Sequence, residues 1–284
     1  MEAIWRWQGL TETKDLYLAI HAAFACFAIH FLLNIALYQK LAIWLLNRET
    51  VTREIQQGKI TKCKESLWKL TYYMAVQIFI FLILYKEPWF VDRKQLFEGW
   101  PDQTIKFPLK LFYMCQCGFH IYSIPALLMR QTRRNDFIVM MSHHVITVFL
   151  IGYSYITRFF RIGSTILALH DTSDVLLETT KLFIYAGKDF AAVMSFGLFS
   201  LSWLFLRLIY YPFRIIWSLS YDGIQCLALP DPHHIWIYYV FNTLLLTLLV
   251  FHIYWWTLIC SMVLRQLKNK AKVCEDIRSD SEDE

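Results

Sequence analysis

Seven apolar runs of spanning length restrict this chain to one kind of architecture. They cover approximately Leu16–Leu37, Leu67–Tyr85, Leu109–Met129, Phe137–Thr157, Ile162–Ala186, Ala191–Tyr211 and Ile235–Leu264. About 20 residues of α-helix cross a hydrocarbon core about 30 Å thick, and in lipid every backbone N–H and C=O needs a partner within the protein. A hydrophobic share of 57% and an aromatic share of 17% over 284 residues fit a polytopic membrane protein and exclude a soluble domain. The expected fold class is all-α, with about seven transmembrane helices bundled around a polar chamber. The first run is expected to continue, bent, through Leu46, and the last is long enough to tilt.

A net charge of +5 is modest and falls mainly in the connecting loops, so it speaks to topology and not to nucleic acid. Lys and Arg are denser in the loops around Arg48, Arg53, Lys62 and Arg130 and in the carboxyl-terminal tail than in the loops opposite. The positive-inside rule then sets the amino terminus in the lumen and the tail in the cytosol. The seven cysteines are scattered, mostly in apolar helices, with the spacing of neither a disulfide framework nor a zinc ribbon. No cleavable signal peptide is expected, because the first apolar run lacks a small-residue cleavage site and continues as a span.

Ionisable side chains interrupt the fourth and fifth runs. One holds Ser142-His143-His144, the other Leu169-His170-Asp171-Thr172-Ser173-Asp174 followed by Glu178 and Lys181. An Asp at the centre of a span costs about 2.5–3.5 kcal/mol to insert, which makes such residues functional by default. With His170 at zero on a helical wheel, Lys181 falls at about 20°, Asp174 at about 40°, Glu178 at about 80° and Asp171 at about 100°. On the preceding helix His143, Thr147 and Ser154 share a second polar stripe, with His144 about 100° round from it. A rise of about 1.5 Å per residue puts His143 about 9 Å and Asp174 about 12 Å from the cytosolic end. The two stripes should therefore face each other across a cavity in that half. Lys181 should reach the cytosolic surface, and Arg207 should snorkel at the lumenal interface.

A carboxylate behind an imidazole fixes its tautomer and raises its basicity. Such a pair suits proton removal from an attacking amine or alcohol, or an imidazole acting as nucleophile, and acyl transfer fits. A metal site is the rival reading, since both residue types are ligands. Adjacent His143 and His144 diverge by about 100°, however, and do not easily chelate together. His21, His30, His120 and His252 are isolated on apolar helices and are expected to pack structurally, with His233-His234 interfacial.

The run His143-His144, Ser154-Tyr155, Arg161-x-Gly163, Ile166-Leu-x-Leu-His170-Asp171, Ser173-Asp174, Glu178 and Lys181 resembles the longevity-assurance motif of ceramide synthases, within the TLC-domain family. Lys62-Cys-Lys-Glu-Ser-Leu-Trp-Lys69, Tyr113-Met-Cys-Gln-Cys-Gly118 and the acidic tail look most like plant members, and the homeobox-like insert of many animal members is missing. The resemblance spans about Lys64 to Leu267. That leaves 1–63 as a lumenal segment, first helix and cytosolic linker, and 268–284 as a disordered cytosolic tail.

What the resemblance implies is a TLC-type bundle in the endoplasmic reticulum membrane. It would move a fatty acyl group from acyl-CoA to the amine of sphinganine or 4-hydroxysphinganine, giving ceramide or dihydroceramide. Acyl-CoA is then a co-substrate, and no cofactor, metal or nucleic acid is expected. Membrane lipid and a second copy or paralogue in a dimer are the remaining partners. By the same analogy His143 is the acyl-accepting nucleophile or general base, and His144 its partner. Asp171 and Asp174 would orient imidazole and relay the amine proton. His170, Ser154, Tyr155, Glu178 and Lys181 would support the site, and Lys181 with Arg130, Arg133 and Arg134 would attract CoA phosphates. In related proteins the segment between the last two spans, about Asp222 to His234 here, bears on acyl-chain length. Ser279 and Ser281 each have an acid three residues on, a pattern acidophilic kinases prefer. The competing functions are a TLC-type lipid carrier, a proton-coupled transporter and a membrane zinc amidohydrolase.

Overall fold

The structure, a computed structural model, describes residues 8–46, 53–129, 135–227 and 232–268. Arg130, Arg133, Arg134, Ser279, Ser281 and residues 228–231 of the segment between the last two spans lie outside the described residues.

The chain is a bundle of helices with a small cap at one end. A 3-10 turn, Thr13–Asp15, leads into α1 (Leu16–Leu33), and a π-helical turn, Asn34–Tyr38, joins it to α2 (Gln39–Leu46). Then come α3 (Arg53–Leu84), the short α4 (Pro88–Val91), α5 (Phe107–Leu128), α6 (Phe137–Ile156) and α7 (Phe160–Tyr185). Helix α8 (Asp189–Ser202) runs without a break through a π-helical segment, Trp203–Ile216, into α9 (Trp217–Leu227), and α10 (Pro232–Lys268) follows. Pro212 sits inside the π segment, where its missing N–H and bulky ring disfavour a regular α-helical ladder.

Among the described residues six runs are long and apolar enough to cross a membrane: Thr13–Leu46, Gln57–Leu84, Phe107–Leu128, Phe137–Ile156, Asp189–Ile224 and Ile235–Lys268. Helix α7 spans a comparable length with its 26 residues but carries too much charge to count among them. It buries that charge against its neighbours, packing chiefly on α3 and α8, while α1 packs on α5 and α5 on α6. Gly118 lets α1 approach α5 closely. A Cβ at that position would stand 2.6 Å from Ala22 Cβ and 2.7 Å from the Ala19 carbonyl oxygen. Outward faces carry bare apolar side chains such as Phe24, Phe31, Phe81, Phe205, Phe213 and Val250, as a lipid-facing surface requires.

The cap closes one end of the bundle. Strands β1 (Gln8–Gly9) and β2 (Ile105–Lys106) pair antiparallel there. Trp100 Nε1 donates to the Thr157 carbonyl at 2.9 Å, and Arg158 Nη1 donates to the Pro101 carbonyl at 2.7 Å. Arg161 Nη1 donates to the Gln95 and Glu98 carbonyls at 2.7 and 3.1 Å. Buried Trp89, Leu96 and Phe97 fill the space beneath. Any polar chamber in this bundle must therefore open at the other end or sideways between helices.

Candidate active site

One cavity of about 210 Å³ collects the polar residues of the central helices, in the half of the bundle away from the cap. Helix α7 turns His170, Asp171, Asp174, Glu178 and Lys181 into it, and α6 turns in His143, His144 and Thr147. The two stripes read from helical periodicity thus share one chamber.

Asp171 and Asp174 are held by groups that the sequence did not suggest. Arg207 Nη2 lies 2.9 Å from Asp174 Oδ1, and also donates to the His170 carbonyl at 2.8 Å. Its guanidinium stands 4.1 Å from the centre of the Trp203 ring, and its side chain is 4% exposed. Arg207 is therefore not a snorkelling interfacial residue. The apolar run ends at Tyr211, whereas the helix continues to Leu227, which moves Arg207 from a helix end into the interior. Lys181 likewise does not stand free at the surface, because its Nζ pairs with Glu178 Oε1 at 2.9 Å. The carboxylate of Asp171 accepts a hydrogen bond from Gln116 Nε2, and Tyr72 Oη stands 3.4 Å from Gln116 Oε1.

The imidazoles pair with one another. His144 Nδ1 and His120 Nδ1 are 3.1 Å apart, so one carries the proton and the other accepts it. His170 Nδ1 donates to the Ile166 carbonyl at 2.7 Å, which leaves its Nε2 to accept from His252 Nε2–H at 2.9 Å. Both ring nitrogens of His170 are thereby engaged, and the pair with His252 joins α7 to α10. His143 is the exception. Its ring lies edge-on to Trp255 with centroids 5.4 Å apart, and its buried Nδ1 has no hydrogen-bond partner among the described residues. The expected carboxylate behind each imidazole is thus replaced by Gln116 and Arg207 behind the carboxylates, and by His120 and His252 behind His144 and His170.

Ser154 and Tyr155 lie outside the cavity. The Ser154 hydroxyl is 2.8 Å from Tyr113 Oη, and Tyr155 Oη donates to Asp15 Oδ2 at 2.5 Å, a carboxylate that also pairs with Lys110. Ser154 shares the angular stripe of His143 but is eleven residues further on, about 16 Å along the helix axis towards the cap.

The far wall of the cavity comes from residues that periodicity on α6 and α7 cannot reveal. Glu65, Trp68 and Lys69 of α3, Tyr122 of α5 and His30 of α1 all line it. His30 stacks on Trp68 with centroids 4.8 Å apart and planes at 17°, and its Nδ1 is 2.5 Å from Tyr122 Oη. An ionisable group within an apolar span was the available signal for His30, His120, His252 and Arg207. Among the described residues no three His, Cys, Asp or Glu side chains converge where one metal ion would reach them all.

A bundle that gathers paired imidazoles and ion-paired carboxylates around one cavity defines a polytopic membrane protein built around an internal polar site. Residues 62–261 match the TLC domain model, and the chain belongs to the TLC-domain family. It is 53% identical over 277 residues to "Ceramide synthase LOH2" of Arabidopsis thaliana, covering 96% of this chain and 94% of that protein. It is 56% identical over 261 residues to "ASC1-like protein 3" of Oryza sativa subsp. japonica, covering 91% of this chain and 92% of that one. The human protein "Ceramide synthase 5" is 33% identical over 244 residues, 86% of this chain and 60% of that protein.

Proposed function

We infer that this protein is a ceramide synthase, an acyl-CoA-dependent sphingoid-base N-acyltransferase. The observation that supports the reading most strongly is that His143, His144, Asp171 and Asp174 line one cavity, in a chain that its relatives named ceramide synthases match almost end to end.

The chemistry follows from the groups in the cavity. The imidazole of His143 attacks the thioester carbonyl of the acyl-CoA, an N–C bond forms, the C–S bond breaks, and CoA leaves as a thiolate that takes up a proton. The sphingoid amine then attacks the acyl-imidazole carbonyl. The amide C–N bond forms, imidazole departs, and the amine proton passes to the neighbouring imidazoles, with His144 nearest in sequence. Direct attack of the amine on the thioester, with His143 as general base, uses the same groups. A peptide containing His143 that gains the mass of the acyl group after incubation with acyl-CoA alone selects the first route. An unmodified peptide in a protein that still forms amide selects the second.

The reading sets the chain in the endoplasmic reticulum membrane, amino terminus lumenal and carboxyl terminus cytosolic. The half of the bundle away from the cap then faces the cytosol, where a water-soluble CoA head resides, while acyl chain and sphingoid base enter from lipid. Lys69 and Lys181 near that side, with Arg130, Arg133 and Arg134, attract the CoA phosphates. Acyl-CoA is a co-substrate, and the reaction draws on no further cofactor.

Microsomes containing the protein, given labelled sphinganine and acyl-CoA with and without a chelator, should form labelled dihydroceramide equally well in both. His143→Ala should reduce the rate at least about 100-fold while the protein still inserts, and Asp174→Ala should lower it by leaving Arg207 unpaired in the cavity wall. Wild-type microsomes that consume no base would reject the assignment, and full activity in either variant would remove that residue from the site.

A further inference from the structure

Among the described residues four carboxylates line the cavity, those of Glu65, Asp171, Asp174 and Glu178, against three cations, those of Lys69, Lys181 and Arg207. Asp174 is paired with Arg207 and Glu178 with Lys181, each at 2.9 Å. Glu65 has Lys69 one turn further along α3, the spacing at which opposite charges meet on a helix. Asp171 differs from all of these. Among the described residues its carboxylate has no cationic partner, and is held by the amide of Gln116, a neutral donor. Both residues are deeply buried, Asp171 at 4% and Gln116 at 0% exposure. The nearby guanidinium of Arg207 is committed to Asp174, to the His170 carbonyl and to the Trp203 ring.

A buried carboxylate with only a neutral hydrogen-bond partner is poorly compensated, and an occupant that brings a positive charge removes the deficit. The acceptor in the proposed reaction is an aliphatic primary amine, a class protonated at neutral pH because its pKa lies at about 10. Resting on the ceramide synthase reading, we propose that Asp171 is the seat of the sphingoid ammonium group. It selects a charged acceptor and brings the nitrogen into the chamber that holds His143 and His144, where the ammonium gives one proton to a neutral imidazole before its freed lone pair attacks the acyl carbonyl. Asp174, tied to Arg207, does not share that task. The two acids of the motif thus divide the work: one recognises the amine, and the other is fixed in an internal ion pair.

Recognition separates from chemistry when binding is measured without acyl-CoA. Full-length protein in lipid nanodiscs is titrated with labelled sphinganine and competed with the deamino analogue, which carries hydrogen in place of the amine. Wild-type protein should prefer sphinganine over the analogue by about tenfold or more, as a charge-assisted contact provides. Asp171→Asn should lose that preference. Its affinity for sphinganine falls about tenfold or more, while its affinity for the analogue stays within about twofold. Asp171→Glu, which keeps the charge, should restore part of the preference. Wild-type affinity for sphinganine in Asp171→Asn would overturn the assignment. So would an analogue that binds wild-type protein as tightly as sphinganine, an outcome that needs no variant and decides the matter if Asp171→Asn fails to accumulate. Protein that prefers the amine but forms no amide defeats the enzymatic reading and leaves amine recognition standing, and amide formation without the preference does the reverse.

Discussion

Replacing Arg207 with methionine keeps most of the apolar stem and removes the guanidinium. Three contacts go with it: the 2.9 Å pair with Asp174, the 2.8 Å bond to the His170 carbonyl and the stacking on Trp203. Removing one partner of a buried ion pair costs about 3–5 kcal/mol, because the remaining charge is left uncompensated, and the lost carbonyl bond adds about 1 kcal/mol. At about 2–4 °C per kcal/mol for a chain of this size, the thermal midpoint should fall by roughly 10–20 °C. Asp174→Asn should be destabilising for the mirror-image reason, leaving the cation unpaired. The double variant holds neither charge, so its loss should be smaller than the sum of the two single losses by about 2–3 kcal/mol. The assay is thermal unfolding of the four proteins in nanodiscs, followed by the intrinsic fluorescence of the tryptophans. Single losses that simply add would refute the coupling, and an Arg207→Met midpoint within about 2 °C of the parent would refute the buried pair itself.

Other substitutions test the division between cavity and scaffold. Tyr155→Phe removes the hydroxyl that reaches Asp15. It should lower stability by about 1 kcal/mol and leave kcat within about twofold, because the residue lies outside the chamber; a 100-fold fall in kcat with the fold intact would put Tyr155 back in the reaction. Gly163→Ala places a Cβ 1.7 Å from Tyr113 Oη and should expel that hydroxyl from Ser154, costing about 1–3 kcal/mol. Adding Tyr113→Phe should recover part of the loss, and a double variant less stable than Gly163→Ala alone would contradict the contact.

What the chain disclosed on its own follows from the physics of single helices. The ends of α5, α6 and α7 fall within two residues of the apolar runs that foretold them, because the run length and the change to polar loop residues mark the membrane boundary. The stripes on α6 and α7 were legible because helical period and rise fix angle and depth within one helix. Partners across helices were not. Gln116 and His120 stand four residues apart on one face of α5, and His252 is alone on α10, but which residues they meet across the bundle, Asp171, His144 and His170, is decided only by packing. Arg207 was misplaced for a different reason, since hydropathy ended its span at Tyr211 while the helix runs on through Pro212. Ser154 shows the converse error, where a matching angle concealed the distance along the axis.

The family match begins at residue 62, yet part of the chamber wall is His30, carried by a helix that Gly118 seats tightly against α5. Trimming the chain to a minimal TLC fragment would thus strip away a side of the polar chamber, not a mere membrane tether. Such a fragment would admit lipid tails beside Trp68 and Tyr122, and any attempt to engineer or crystallise the catalytic unit has to keep the first helix attached.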